Sequence, residues 1–84
     1  MPTAFVLVNS ELSHDMEIIG KMKDILISKK DLEYEIQGVY GIYDIVLKVS
    51  SEDGANLRKI ITNEIRKINK VQSTLTMTVI EEQE

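Results

Sequence analysis

An α+β fold of the β-α-β-β-α-β type is predicted by three features of this 84-residue chain. Two helical patterns alternate with four strand patterns in that order. The middle two strands are joined by a stretch holding Gly38 and Gly41. The first and third strands are more continuously apolar, while the second and fourth alternate. A strand covered on both faces reads as an apolar run, and a half-exposed strand alternates. The pattern is the ferredoxin-like split βαβ unit, an antiparallel four-stranded sheet in the order 4-1-3-2. Two helices cover one face, and the other face is expected to dimerise, as in a dimeric α+β barrel.

Each element has its own warrant. Residues 3–9 form the first strand, with an apolar run from Ala4 to Val8, and Ser10 to Leu12 connect it onward. Ser13 is placed to cap the first helix, and Asp15 and Glu17 in its first turn complement the helix dipole. Ile18, Met22, Ile25 and Leu26 recur at helical spacing, with Ile19 beside them. Met16 and Met22 read as core residues. Gly20 costs this helix about 1 kcal/mol relative to alanine. Ser28 to Asp31 end the helix, with Lys29 and Lys30 near its C-terminus.

Leu32, Tyr34 and Ile36 then alternate with Glu33, Glu35 and Gln37. The glutamates discourage edge-to-edge pairing. After the glycine stretch comes the strand Tyr43 to Val49. A turn cluster, Ser50 to Gly54, leads to a helix over about 55–69, striped by Leu57, Ile60, Ile61, Ile65 and Ile68. Arg58, Lys59, Arg66 and Lys67 lie on its solvated face. Val71 to Ile80 form the last strand, where Leu75, Met77 and Val79 alternate with Thr74, Thr76 and Thr78. The threonine row is expected on the open sheet face, beside Val46.

Composition bounds the function. The whole of 1–84 is one domain, with 81–84 an acidic tail expected to fray. A chain this short has a marginal core that oligomerisation would support. There are no cysteines and one histidine, His14, so neither a disulfide framework nor a multi-histidine or cysteine metal site is expected, and no cofactor is. The net charge of −4 argues against direct nucleic-acid binding. No apolar run approaches the length of a membrane span, and no signal peptide is expected, so a cytoplasmic protein is the default.

The stretch that carries chemistry is Gly38-Val39-Tyr40-Gly41-Ile42-Tyr43-Asp44. Glycine tolerates positive φ, so Gly38 and Gly41 can bracket a tight connection. Backbone N–H groups around such a turn can bind a carboxylate. An ionised Asp44 can accept a hydrogen bond from an ammonium group. Equally, Asp44 can bond to backbone N–H groups of its own loop and hold the turn.

Glycine, a variable residue, an aromatic and an aspartate leading into an apolar strand, here Gly41 to Val49, resembles the effector-binding (RAM) domain of the Lrp/AsnC, or feast/famine, regulators. The ending Val71 to Ile80, after a helix closing at a turn, is similar to the same family, and the likeness covers nearly the whole chain. The resemblance implies an amino-acid-binding regulatory module without catalytic residues. It also implies a homodimer through the sheets, assembling into rings from tetramers to octamers or decamers. The site it implies lies between dimers, near the glycine loop: Val39, Tyr40, Gly41 and Asp44, with Ser73, Thr74 and Thr76 from the last strand. Only Gly41 and Asp44 fall on the family's most recognisable positions.

Family regulators usually carry a helix-turn-helix domain, whereas here the first strand begins at residue 3. The expectation is a stand-alone effector domain, acting by co-assembly with a full-length regulator. Two other readings stay open: a small dimeric enzyme of monooxygenase or isomerase type using Tyr40, Tyr43 and Asp44, and a structural assembly module with no ligand.

Overall fold

The computed structural model describes residues 2–12 and 14–80. The elements are β1 (Thr3–Ser10), α1 (Asp15–Ile27), β2 (Leu32–Gly38), β3 (Ile45–Ser51), α2 (Gly54–Ile60) and β4 (Val71–Thr78). A π-helical turn, Ile61–Ile65, continues α2. The strands form one antiparallel sheet in the order β2-β3-β1-β4, the expected 4-1-3-2 read from the other side.

The core lies between this sheet and the helices. Ala4, Val6 and Val8 of β1 stand beside Val49, Leu47 and Ile45 of β3, all buried. Ile18, Met22 and Leu26 cover them from α1, and Leu57, Ile60, Ile61, Ile65 and Ile68 from the second helical segment. Full burial of such a side chain contributes about 1.5–3 kcal/mol, so these two stripes are what fix the helices on one face. Asp53 caps α2, its Oδ1 accepting from the backbone N–H of Ala55 (3.0 Å) and Asn56 (3.2 Å). Lys29 Nζ meets Glu64 Oε2 at 2.9 Å and ties the end of α1 to the π turn.

Several expectations need correction. Residues 55–69 are not one α-helix: after Ile60 the hydrogen bonding widens, and Arg66 N–H donates to Ile61 C=O at 3.0 Å. Met16 is 75% exposed and belongs to no core, because α1 turns it away from the Ile18–Met22–Leu26 stripe. At Gly20, whose glycine is simply tolerated in α1, a Cβ would meet nothing within 4 Å. Ser13, the expected cap, and the tail 81–84 lie outside the described residues. His14 flanks α1 without a side-chain capping bond.

The correction with the largest consequence concerns β4. Thr78, Thr76 and Thr74 stand opposite Ala4, Val6 and Val8, whose side chains face the helices. The threonine row is therefore on the helix side of the sheet. Met77 and Leu75 stand opposite Phe5 and Leu7 and occupy the open face, where both remain exposed. The open face is thus more apolar than expected, with Phe5, Leu7, Val46, Leu75 and Met77 across three strands. Charge enters it through Glu33 and Glu35 at the β2 edge and through Lys48, whose Nζ lies 5.9 Å from the Phe5 ring centre.

Candidate functional site

The connection between β2 and β3 is a six-residue loop, Val39 to Asp44, rather than a tight glycine-bracketed turn. Gly38 is the last residue of β2. Gly41 has φ 156°, a conformation L side chains rarely adopt, so it is the point where this loop depends on glycine.

Asp44 anchors the loop. Its backbone C=O accepts from Val39 N–H at 2.8 Å and its N–H donates to Val8 C=O at 3.0 Å. Its side-chain Oδ2 accepts from the backbone N–H of Ser10 at 2.9 Å and from the Ser10 hydroxyl at 3.3 Å. One residue thereby closes the loop on itself and ties it to the end of β1. Ser10 is buried, and bonds to a carboxylate there are charge-assisted.

Beyond this locked base the loop tip is bare. Tyr40 is 107% exposed, Ile42 88% exposed and Val39 also exposed. Three apolar side chains held together on an anchored loop are what a contact with another molecule would cover.

The expected residues from β4 divide. Ser73 lies on the open face, where Asn9 Nδ2 donates to its hydroxyl at 3.3 Å. Ser10 pairs with Val71 across a register shift, so the start of β4 and Asp44 share one end of the sheet, on opposite sides of β1. Thr74 and Thr76 face the helix side, and Thr76 stands opposite Val6 in the middle of the sheet. Within one protomer, then, Val39, Tyr40, Gly41 and Asp44 are together, Ser73 is at the same end, and Thr76 is apart. Ser10 was missed by the sequence reading; its partner is 34 positions away, and no local pattern marks it.

No group of three or more His, Asp or Glu side chains that could hold a metal ion gathers among the described residues. Among those residues no helix is long and apolar enough to cross a membrane.

The sheet order and the two helices on one face define a ferredoxin-like α+β domain. The chain belongs to the Lrp/AsnC family: residues 34–83 match the model of the Lrp/AsnC ligand-binding domain. Among solved structures, FFRP-DM1 is 34% identical, with a TM-score of 0.78 over 95% of this chain and 100% of that one. A hypothetical protein of Pyrococcus horikoshii is also 34% identical, with a TM-score of 0.77 over 98% of this chain and 93% of its own. Escherichia coli AsnC, 23% identical with a TM-score of 0.75, shares the fold over 96% of this chain, which spans 52% of AsnC. A Neisseria meningitidis transcriptional regulator, solved as its L-Met complex, shares the fold at 14% identity, a TM-score of 0.70, and 99% and 52% coverage. No curated protein sequence matches the chain.

Proposed function

We propose that this chain is an amino-acid-responsive regulatory domain that works as an assembly of dimers. One observation carries the reading: the Asp44-locked loop exposes Val39, Tyr40 and Ile42, which the lone protomer leaves uncovered. Membership in a ligand-binding family supports it, as does the amino acid bound to the Neisseria meningitidis regulator.

The protomers pair through the open sheet face, burying Phe5, Leu7, Val46, Leu75 and Met77. Dimers then meet at the loops and form rings. The amino acid lies at that contact, its carboxylate on loop N–H groups near Gly41, its ammonium toward the charge of Asp44, and its side chain against Tyr40. Ser73 contributes from the same end of the sheet, while Thr74 and Thr76 reach the ligand only from a neighbouring protomer. The domain acts in the cytoplasm by co-assembling with a full-length Lrp/AsnC regulator, touching neither DNA nor membrane itself, and catalyses nothing.

Calorimetric titration of single amino acids tests this. Tyr40→Ala removes a fully exposed ring, so the expected result is binding weakened about tenfold with an unchanged melting temperature. Equal affinity of the variant and the parent would remove the loop from the site.

A further inference from the structure

The open sheet face carries a charge on one of its two central strands. Strand register sets Glu35, Lys48, Phe5 and Met77 in one row across β2, β3, β1 and β4. The neighbouring row, Gln37, Val46, Leu7 and Leu75, has no charge. On the other side Glu33 stands opposite Ser50, with Thr3 beyond it, and Ser50 Oγ lies 2.8 Å from Thr3 Oγ1. Glu33, Glu35 and Lys48 are therefore the charges that register places on this face, and with Ser50 they border a hollow of about 130 Å³.

Lys48 stands directly opposite Glu35, and side chains so placed have Cβ atoms about 5 Å apart. Even so, the ion pairs among the described residues are His14–Glu17 and Lys29–Glu64, and Lys48 is in neither. Its Nζ lies over the Phe5 ring instead, 5.9 Å from the centre. Lys48, Glu33 and Glu35 are all exposed in the lone protomer, where an ion pair of this kind contributes almost nothing. A covering sheet changes that balance. Packed sheets stand about 10 Å apart, with side chains filling the space between. An ammonium enclosed there without a counter-charge costs far more than one in water. Phe5 offers it a ring face, whereas Glu35 offers a full opposite charge from the adjoining strand. Glu33 is diagonal to Lys48 and further away.

We propose that Lys48 and Glu35 act as one unit, closing into an ion pair when a second copy of the chain covers this face, so that the pair decides whether the sheets can dock. The inference rests on the pairing of protomers through the open face and names the residues that control it. A second copy is the occupant that fits. It brings the same apolar centre, and its own Lys48 is matched by its own Glu35, so it demands no charge from across the contact. An acidic partner would meet Glu33 and Glu35, and a basic one would meet Lys48. The consequence runs against buried area alone: replacing either residue by methionine makes the face more apolar and yet weakens docking, because the other charge is left enclosed without a partner.

The test is a double-mutant cycle on self-association of the whole protein, read by analytical ultracentrifugation across a dilution series. Lys48→Met and Glu35→Met should each raise the dimer dissociation constant at least about tenfold. The double variant Lys48→Met/Glu35→Met should return it to within about threefold of the unaltered protein, or below it, since a buried pair can be replaced by apolar side chains without loss. Lys48→Arg keeps the charge and should keep the dimer. Lys48→Gln and Glu35→Gln repeat the cycle without adding apolar surface, which keeps the test sound if a methionine variant does not fold. Both single variants pairing as tightly as the unaltered protein, or a double variant as weak as the two single effects combined, would overturn the inference and leave pairing through this face intact. A lowered melting temperature of either single variant at a dilution where it is monomeric would overturn it too, by making the pair a brace between β2 and β3. An unaltered protein that stays monomeric at every concentration would overturn both this inference and the pairing it rests on.

Discussion

Asp44 shows how much one side chain settles in this loop. Its carboxylate takes both hydrogen-bond donors of Ser10, a residue with almost no access to water. Removing the carboxylate strands those donors, and an unsatisfied buried polar group costs about 1–3 kcal/mol. Asp44→Ala is therefore expected to lower stability by that amount, or roughly 4–8 °C of melting temperature per kcal/mol. Ser10→Ala, which leaves the backbone N–H bonded, should cost less. Thermal melts of the two variants without ligand check the order. The motif around Asp44 was legible because glycine, aromatic and acid stand together in sequence. Its structural role was legible only as one of two alternatives, since the partner sits in another strand. The alternative in which Asp44 holds the loop has a concrete contact, made to β1 rather than to the loop's own N–H groups.

At the scale of elements, order and strand neighbours followed directly from apolar periodicity. Every strand pairing agrees with the 4-1-3-2 expectation. What periodicity could not supply was phase. A strand alternating threonine with leucine and methionine has two distinct faces, but alternation does not say which one meets the helices. β-Register answers that: Thr76 faces Val6, and Leu75 faces Leu7. The helices leave a groove over β4, so threonines can occupy the inner side, and the larger apolar residues turn outward. Leu75→Lys or Met77→Lys should then abolish dimers while preserving circular dichroism, because neither side chain supports the protomer core. Analytical ultracentrifugation reads the outcome, and an intact dimer in both variants would contradict pairing through this face. In α1, Gly20→Ala meets no neighbour and should stabilise by about 0.5–1 kcal/mol, measured by urea unfolding. The π turn after Ile60 had no sequence signal, because the stripe from Leu57 to Ile68 suits a continuous α-helix.

As a whole molecule the domain is one sheet with one covered face. Among the described residues its core of fourteen buried apolar side chains sits between sheet and helices. Among the described residues, most of the large apolar side chains left outside stand at the loop tip (Val39, Tyr40, Ile42) and on or just after β4 (Leu75, Met77, Val79, Ile80), while Leu12, Met16 and Ile27 lie apart from both. Two separate surfaces of this kind are what a ring needs: one closes a dimer and the other joins dimers, since a single twofold contact ends at two copies. The central claim is that an amino acid binds at the second of these. The most direct measurement is a thermal-shift series with each of the twenty common amino acids on the unaltered protein. A ligand at about 100 times its dissociation constant adds roughly 2.7 kcal/mol, which for a domain of this size moves the midpoint by roughly 11–22 °C. The account predicts a saturable rise with at least one amino acid, reduced to about half in Tyr40→Ala at the same ligand concentration; a flat response to all twenty would contradict it.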